Sequence, residues 1–163
     1  LDLDEVWWMV SPQNPLKPRD GMAPFAQRFG RAIAIAATCR YAKRMRVTAL
    51  EGHKRTALTH HTTTLLRQRM HGTRLVWIMG GDNMMGFHQW SRPGVISRNM
   101  AIAVVNRPGA RAIRTSKGAA IAGQYITPRQ MRARHYPAKH WCYIQGRMNN
   151  QSATRIRAQG KLI

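Results

Sequence analysis

Residues 75–90 read LVWIMGGDNMMGFHQW, and their first half decides how the chain folds. Five apolar residues, Leu75 to Met79, run without interruption and stop on Gly80-Gly81. A continuous apolar run suits a strand buried on both faces, as in a parallel sheet, whereas a half-exposed strand alternates. Four more short runs follow this pattern: VWWMV at 6–10, RVTAL at 46–50, AIAVV at 101–105 and WCYI at 141–144. Between the first two, residues 22–45 place Phe25, Phe29, Ala32, Ile33 and Ala36 at spacings of three and four, one face of a helix. Residues 62–70, 83–90 and the Ala-rich 110–124 are shorter helix-like stretches. Strand alternating with helix predicts an α/β fold with a doubly wound, mostly parallel sheet of about five strands. At 163 residues one domain is expected.

Composition narrows the chemistry. Lys and Arg number 27 against six Asp and Glu, a formal net charge of +21. Such a charge predicts attraction to polyanions. The basic residues are spread evenly, 13 in residues 1–81 and 14 in 82–163, with no run longer than a pair. A solvated basic surface and a nucleic-acid-binding face both fit that pattern. Asp82 is the only carboxylate in residues 52–163. Hydrolysis by a carboxylate pair is thereby excluded, since two acids must flank one bond, and so is a carboxylate-rich metal cage. Leu, Ile, Val and Phe make up only 30 residues, a low share, but ten Met and five Trp add apolar volume.

Cys39 and Cys142 form no CxxC pair, so neither a disulfide framework nor a structural zinc site is expected. No run approaches the ~18 apolar residues of a membrane span, and the opening residues do not read as a signal peptide. A reducing cytoplasm, with no membrane partner, is the expected setting. The chain opens at Leu1 and enters a strand-like run at once, which reads as the remainder of something longer.

Open α/β sheets bind ligands beyond the carboxyl ends of their strands, and three such ends carry unusual residues. After the first run, Ser11-Pro12-Gln13-Asn14-Pro15-Leu16-Lys17-Pro18 is a stiff loop presenting Lys17, a point charge suited to phosphate or simply to solvent. After the third, Gly80-Gly81 permits close backbone approach, and Asp82 can accept bonds from ribose hydroxyls or cap the next helix. After the last comes a helix start with Ser152, Thr154 and Arg157, suited to an anion or to plain capping.

Four blocks, VWWMVSPQNPLK at 6–17, LVWIMGGDNMMGFHQW at 75–90, AIAVVNRPG at 101–109 and SATRIR at 152–157, resemble bacterial nicotinate-nucleotide adenylyltransferase, in that family's order. The resemblance implies a Rossmann-like nucleotidyltransferase domain over residues 1–163. It would join ATP to nicotinate mononucleotide, releasing pyrophosphate and forming deamido-NAD, with magnesium accompanying ATP. It also implies roles. Lys17 would meet phosphate; Gly80 and Asp82 the adenosine ribose; Ser152, Thr154 and Arg157 the ATP phosphates. Trp90 would stack on the nicotinate ring, with Phe87 and His88 shaping that pocket. Transfer of this kind asks for positioning and charge neutralisation more than for a protein nucleophile.

The sequence departs from the family in places. The family's opening strand and its His-x-Gly-His loop have no counterpart here, and its Arg-Tyr-Thr-x-Asp-Thr-Leu block survives only as Thr59-His60-His61-Thr62-Thr63-Thr64-Leu65. Asn106 stands where an Asp is common before Arg-Pro-Gly. With a family strand order of 3-2-1-4-5-6, the central strand is expected to be absent and the domain amino-terminally incomplete. The alternatives are a basic nucleic-acid-binding protein, or a drifted, non-catalytic remnant of the family.

Overall fold

The computed structural model describes residues 1–12, 22–52, 58–108, 112–133 and 138–146. It divides into two compact units, Asp2–Ala57 with Gln151–Ile163, and Leu1 with Leu58–Asn150.

The first unit is a βαβ motif. Strand β1 (Val6–Met9) leads through helix α1 (Phe25–Thr38) to β2 (Met45–Thr48). The strands pair in parallel, Val6 opposite Met45 and Met9 opposite Thr48. Helix α1 buries Ala32 and Ala36, small residues that let it approach the strands, while Phe25 and Phe29 stack at 5.9 Å. Ile33, expected on that face, is instead exposed. The helix also ends earlier than residue 45, because the chain turns through Cys39–Arg44 and Met45 already begins β2. Arg28 ties the motif together, donating to the carbonyls of Ser11 at 2.7 Å, Pro12 at 2.8 Å and Ala23 at 3.0 Å. Among the described residues β1 pairs only with β2, and Trp7 and Trp8 are exposed, so burial of β1 on both faces does not hold.

The second unit holds α2 (Thr59–Arg69), β3 (Val76–Gly80), α3 (Gly81–Met85), α4 (Pro93–Asn99), β4 (Ala101–Val105), α5 (Lys117–Ala122), β5 (Gln124–Tyr125), α6 (Pro128–Ala133) and β6 (His140–Ile144). Its sheet has the order β3-β4-β6-β5, every pair parallel. Strand β4 lies between two neighbours, and its alternate residues enter opposite cores. Ile102 and Val104 join Met79, Met84, Phe87, Ile96 and Trp141 on one face. Ala101 and Ala103 join Ile126, Met131 and Cys142 on the other. Helices therefore cover both faces, which is why AIAVV and WCYI show no polar alternation.

Among the described residues six strands stand where about five were expected, and α4, α6 and β5 are additions to the sequence reading. The stretch 110–124 is not one helix. A 3₁₀ turn (Ile113–Thr115) precedes α5, and Gly123, at φ +106°, turns the chain into β5. Gly118 is required by contact rather than conformation, since a methyl group there would overlap the Met84 carbonyl.

Candidate functional site

The carboxyl ends of β3, β4 and β6 lie side by side, and each contributes a polar group. Gly80 ends β3 opposite Val105 of β4, and α3 begins on the next residue. A side chain at Gly80 would collide with the Asp82 carboxylate and the Arg107 chain, so the bare backbone keeps that corner open. Asp82 lies in the first turn of α3, half-exposed, with its Oδ2 3.6 Å from Arg107 Nη1. Just past β4, Asn106 receives a 2.6 Å hydrogen bond from the Tyr143 hydroxyl, while its own N–H donates to the Ile144 carbonyl at 3.0 Å. Acceptor, cation and amide thus sit on one rim of a parallel sheet, the place where open α/β sheets receive nucleotides.

The chain leaves α3 through a 3₁₀ turn (Phe87–Gln89) that carries the three aromatic-pocket candidates. Trp90 is half-buried and meets Phe87 edge to face, ring centres 5.5 Å apart. Phe87 is wholly buried in the core, so it supports Trp90 from beneath and presents no surface of its own to a ligand. His88 is exposed, with Nδ1 3.1 Å from the Met85 carbonyl. Gly80, Asp82, Phe87, His88 and Trp90 therefore belong to one continuous strand–helix–turn segment. Lys17, Ser152, Thr154 and Arg157 lie outside the described residues.

Sequence reasoning did not give Arg107, Asn106 or Tyr143 a place on this rim. The Asn-Arg-Pro-Gly that follows β4 was the available signal, being polar residues and a turn at a strand end. Tyr143 carried none, because its partner lies 37 residues away. Among the described residues no group of three or more His, Cys, Asp or Glu can hold a metal ion. No helix there is long and apolar enough to cross a membrane.

A doubly wound parallel sheet with Gly-Gly-Asp at a strand end is the architecture of a Rossmann-like nucleotide-binding domain. A cytidylyltransferase-like family model matches residues 1–159, and the chain belongs to that family. It is 41% identical over 163 residues to the probable nicotinate-nucleotide adenylyltransferase of Cereibacter sphaeroides, covering 98% of this chain and 83% of the relative. The corresponding protein of Rhizobium johnstonii is 36% identical over 162 residues, with 96% and 78% covered. Among solved structures, the Plasmodium falciparum nicotinic acid mononucleotide adenylyltransferase complexed with NaAD superposes with a TM-score of 0.60 at 12% identity. That match covers 93% of this chain and 63% of the parasite chain, and at such identity it is a likeness of fold.

Proposed function

We propose that the chain serves pyridine-nucleotide synthesis, as a nicotinate-nucleotide adenylyltransferase that transfers the adenylyl group of ATP to nicotinate mononucleotide, forming deamido-NAD and pyrophosphate. The observation that carries this reading is the rim built by Gly80, Asp82, Asn106 and Arg107, with Trp90 on the same segment as Asp82. Asp82 would accept hydrogen bonds from the adenosine ribose, with the backbone at Gly80 close beside it. Trp90 would stack on the pyridine ring, held upright by Phe87, with His88 at its border. Lys17, Ser152, Thr154 and Arg157 complete the proposal as phosphate ligands, supported by the family resemblance. The setting proposed is the cytoplasm.

The residues on this rim do not build a magnesium site. Asp82 is the only carboxylate after residue 51, and it already faces Arg107. Magnesium enters this reading only as the companion of ATP's own phosphates.

Residues 1–163 are read as a single nucleotidyltransferase-like domain. Among the described residues β1 pairs only with β2 and β3 only with β4, and Trp8 and Ile78 on these strands are exposed. Residues 1–163 contain no His-x-Gly-His of the family's type, and poor turnover by these residues alone is part of the proposal.

Calorimetric titration of ATP and of nicotinate mononucleotide, with Trp90→Ala as control, tests the site. The variant is expected to lose about 1–3 kcal/mol of mononucleotide binding, as for other aromatic–base stacks, and to keep ATP binding. Equal affinity for the mononucleotide in both proteins would refute the assignment. The +21 charge favours a second, weaker attraction to nucleic acid, expected to be sequence-blind and to vanish with added salt. A tight, salt-resistant RNA complex would reverse that ranking.

A further inference from the structure

We infer that Tyr143 is a positioning residue for Asn106, turning its amide so that the NH₂ group, not the carbonyl, is offered to the adenosine half of ATP. The inference deepens the proposed function and rests on it. Tyr143 lies on β6, and the proposed function gives it no role.

Asn106 is held twice by β6. Its main-chain N–H donates to the Ile144 carbonyl at 3.0 Å, which carries the bonding between the strands one residue past Val105, where β4 ends. Its Oδ1 accepts the Tyr143 hydroxyl at 2.6 Å. Side chains alternate along a strand, so Asn106 continues the row of Ile102 and Val104. Tyr143 stands opposite Val104 and packs against the same core, which also holds Met84 and Phe87. Packing thus fixes the phenol ring, and its hydroxyl reaches along the sheet face to Asn106 at the strand's end.

The bond also sets which way the amide points. An asparagine side chain carries an acceptor on one side and a donor on the other, and half a turn exchanges them. The separation of 2.6 Å suits an O–H···O bond and is shorter than the range of about 2.7–3.2 Å for N–H···O, so the carbonyl oxygen is the atom that meets Tyr143. Oδ1 is thereby occupied, while Nδ2 has no partner among the described residues. The place of this donor names its ligand. Gly80 pairs with Val105, so Asn106 comes one residue beyond the strand pair beside the proposed ribose site. Asp82, the carboxylate at that site, only accepts hydrogen bonds, whereas Asn106 in this orientation donates. The two complement a nucleoside, which presents hydroxyl donors on its ribose and acceptor atoms on its base.

The test removes the hydroxyl with and without the amide it turns. Tyr143→Phe deletes the hydroxyl alone, and Tyr143→Leu serves as a second hydroxyl-free variant should the Phe protein fail to fold. In protein labelled with ¹⁵N at asparagine, the Asn106 side-chain NH₂ resonances are identified by their loss in Asn106→Ala. The hydroxyl-free variant is expected to move them and to weaken ATP binding, measured by calorimetry, about three- to tenfold, the worth of one hydrogen bond. Nicotinate mononucleotide binding should be unchanged. In the Asn106→Ala background the same substitution should cost nothing further, because no amide is left to turn. An equal loss of ATP binding in both backgrounds would show that Tyr143 acts through packing, and overturns the inference. So do unmoved Asn106 resonances, unchanged ATP affinity in the hydroxyl-free protein, or a loss confined to the mononucleotide. Should the resonances follow the hydroxyl while the unaltered protein binds no ATP, the orientation of Asn106 stands and the adenylyl-transfer reading falls.

Discussion

The Asp82 carboxylate and the Arg107 guanidinium face each other across 3.6 Å, joining the end of β3 to the segment that leaves β4. Both groups are about half exposed, so the pair contributes little to stability, about 0–1 kcal/mol for such contacts. Its value is geometric: it holds the acceptor of the proposed ribose site at the rim. Asp82→Asn is expected to leave the thermal midpoint nearly unchanged. ATP binding, measured by calorimetry, should weaken by about 1.5–3 kcal/mol as charged hydrogen bonds are lost. Unaltered ATP affinity would remove Asp82 from the site.

Gly118 is packed against the Met84 carbonyl, where an added methyl group would overlap main chain rather than a movable side chain. Helices α3 and α5 would have to separate. Gly118→Ala should therefore destabilise the fold by about 1–3 kcal/mol, the usual range for overpacking, although alanine is the better helix former. The urea midpoint measures this. A neutral or raised midpoint would contradict the packing described.

The His60 imidazole is held below the ordinary histidine value of 6.5 by burial first, then by the charges of His61 and Arg92, with the Ser91 carbonyl opposing them. A depressed folded-state pKa means that the unfolded chain takes up a proton the folded protein resists. Its contribution to stability is complete above the unfolded value and is lost as pH falls through the folded one. Denaturant midpoints should drop as pH falls below the ordinary histidine value of about 6.5, above the range where carboxylates titrate, and the drop should be smaller in His60→Gln. Identical pH dependence in the two proteins would exclude His60 as its source.

The two thiols should differ in reactivity. Cys39 is exposed at the end of α1, whereas Cys142 is fully buried in β6, and burial pushes its thiol above the ordinary value. The thiolate is the reactive form, so one rapid equivalent is expected with an aromatic disulfide reagent and the second only on unfolding. Two rapid equivalents in the folded protein would show that the β6 core opens freely.

The sequence by itself determined the class of fold and marked the strand end at which the site is proposed. An apolar run buried on both faces leaves a local signature, and AIAVV and WCYI carry it, while LVWIM carries the same signature although Ile78 is exposed. Gly80-Gly81-Asp82 follows directly on such a run, so its position at a strand end was legible from chain neighbours alone. Tertiary structure decided what depended on distant partners. Strand β5, two residues long, exists only because Gln124 and Tyr125 pair with β6, and α6, at six residues, is too short to show a periodic face. The burial of β4 against the exposure of Trp7, Trp8 and Ile78 follows from which strands have two neighbours among the described residues, which no single run encodes. Arg107 meets Asp82 and Tyr143 meets Asn106 across 25 and 37 residues. Such pairs form when packing brings separate elements together, so the rim's electrostatics could be read only from the folded chain.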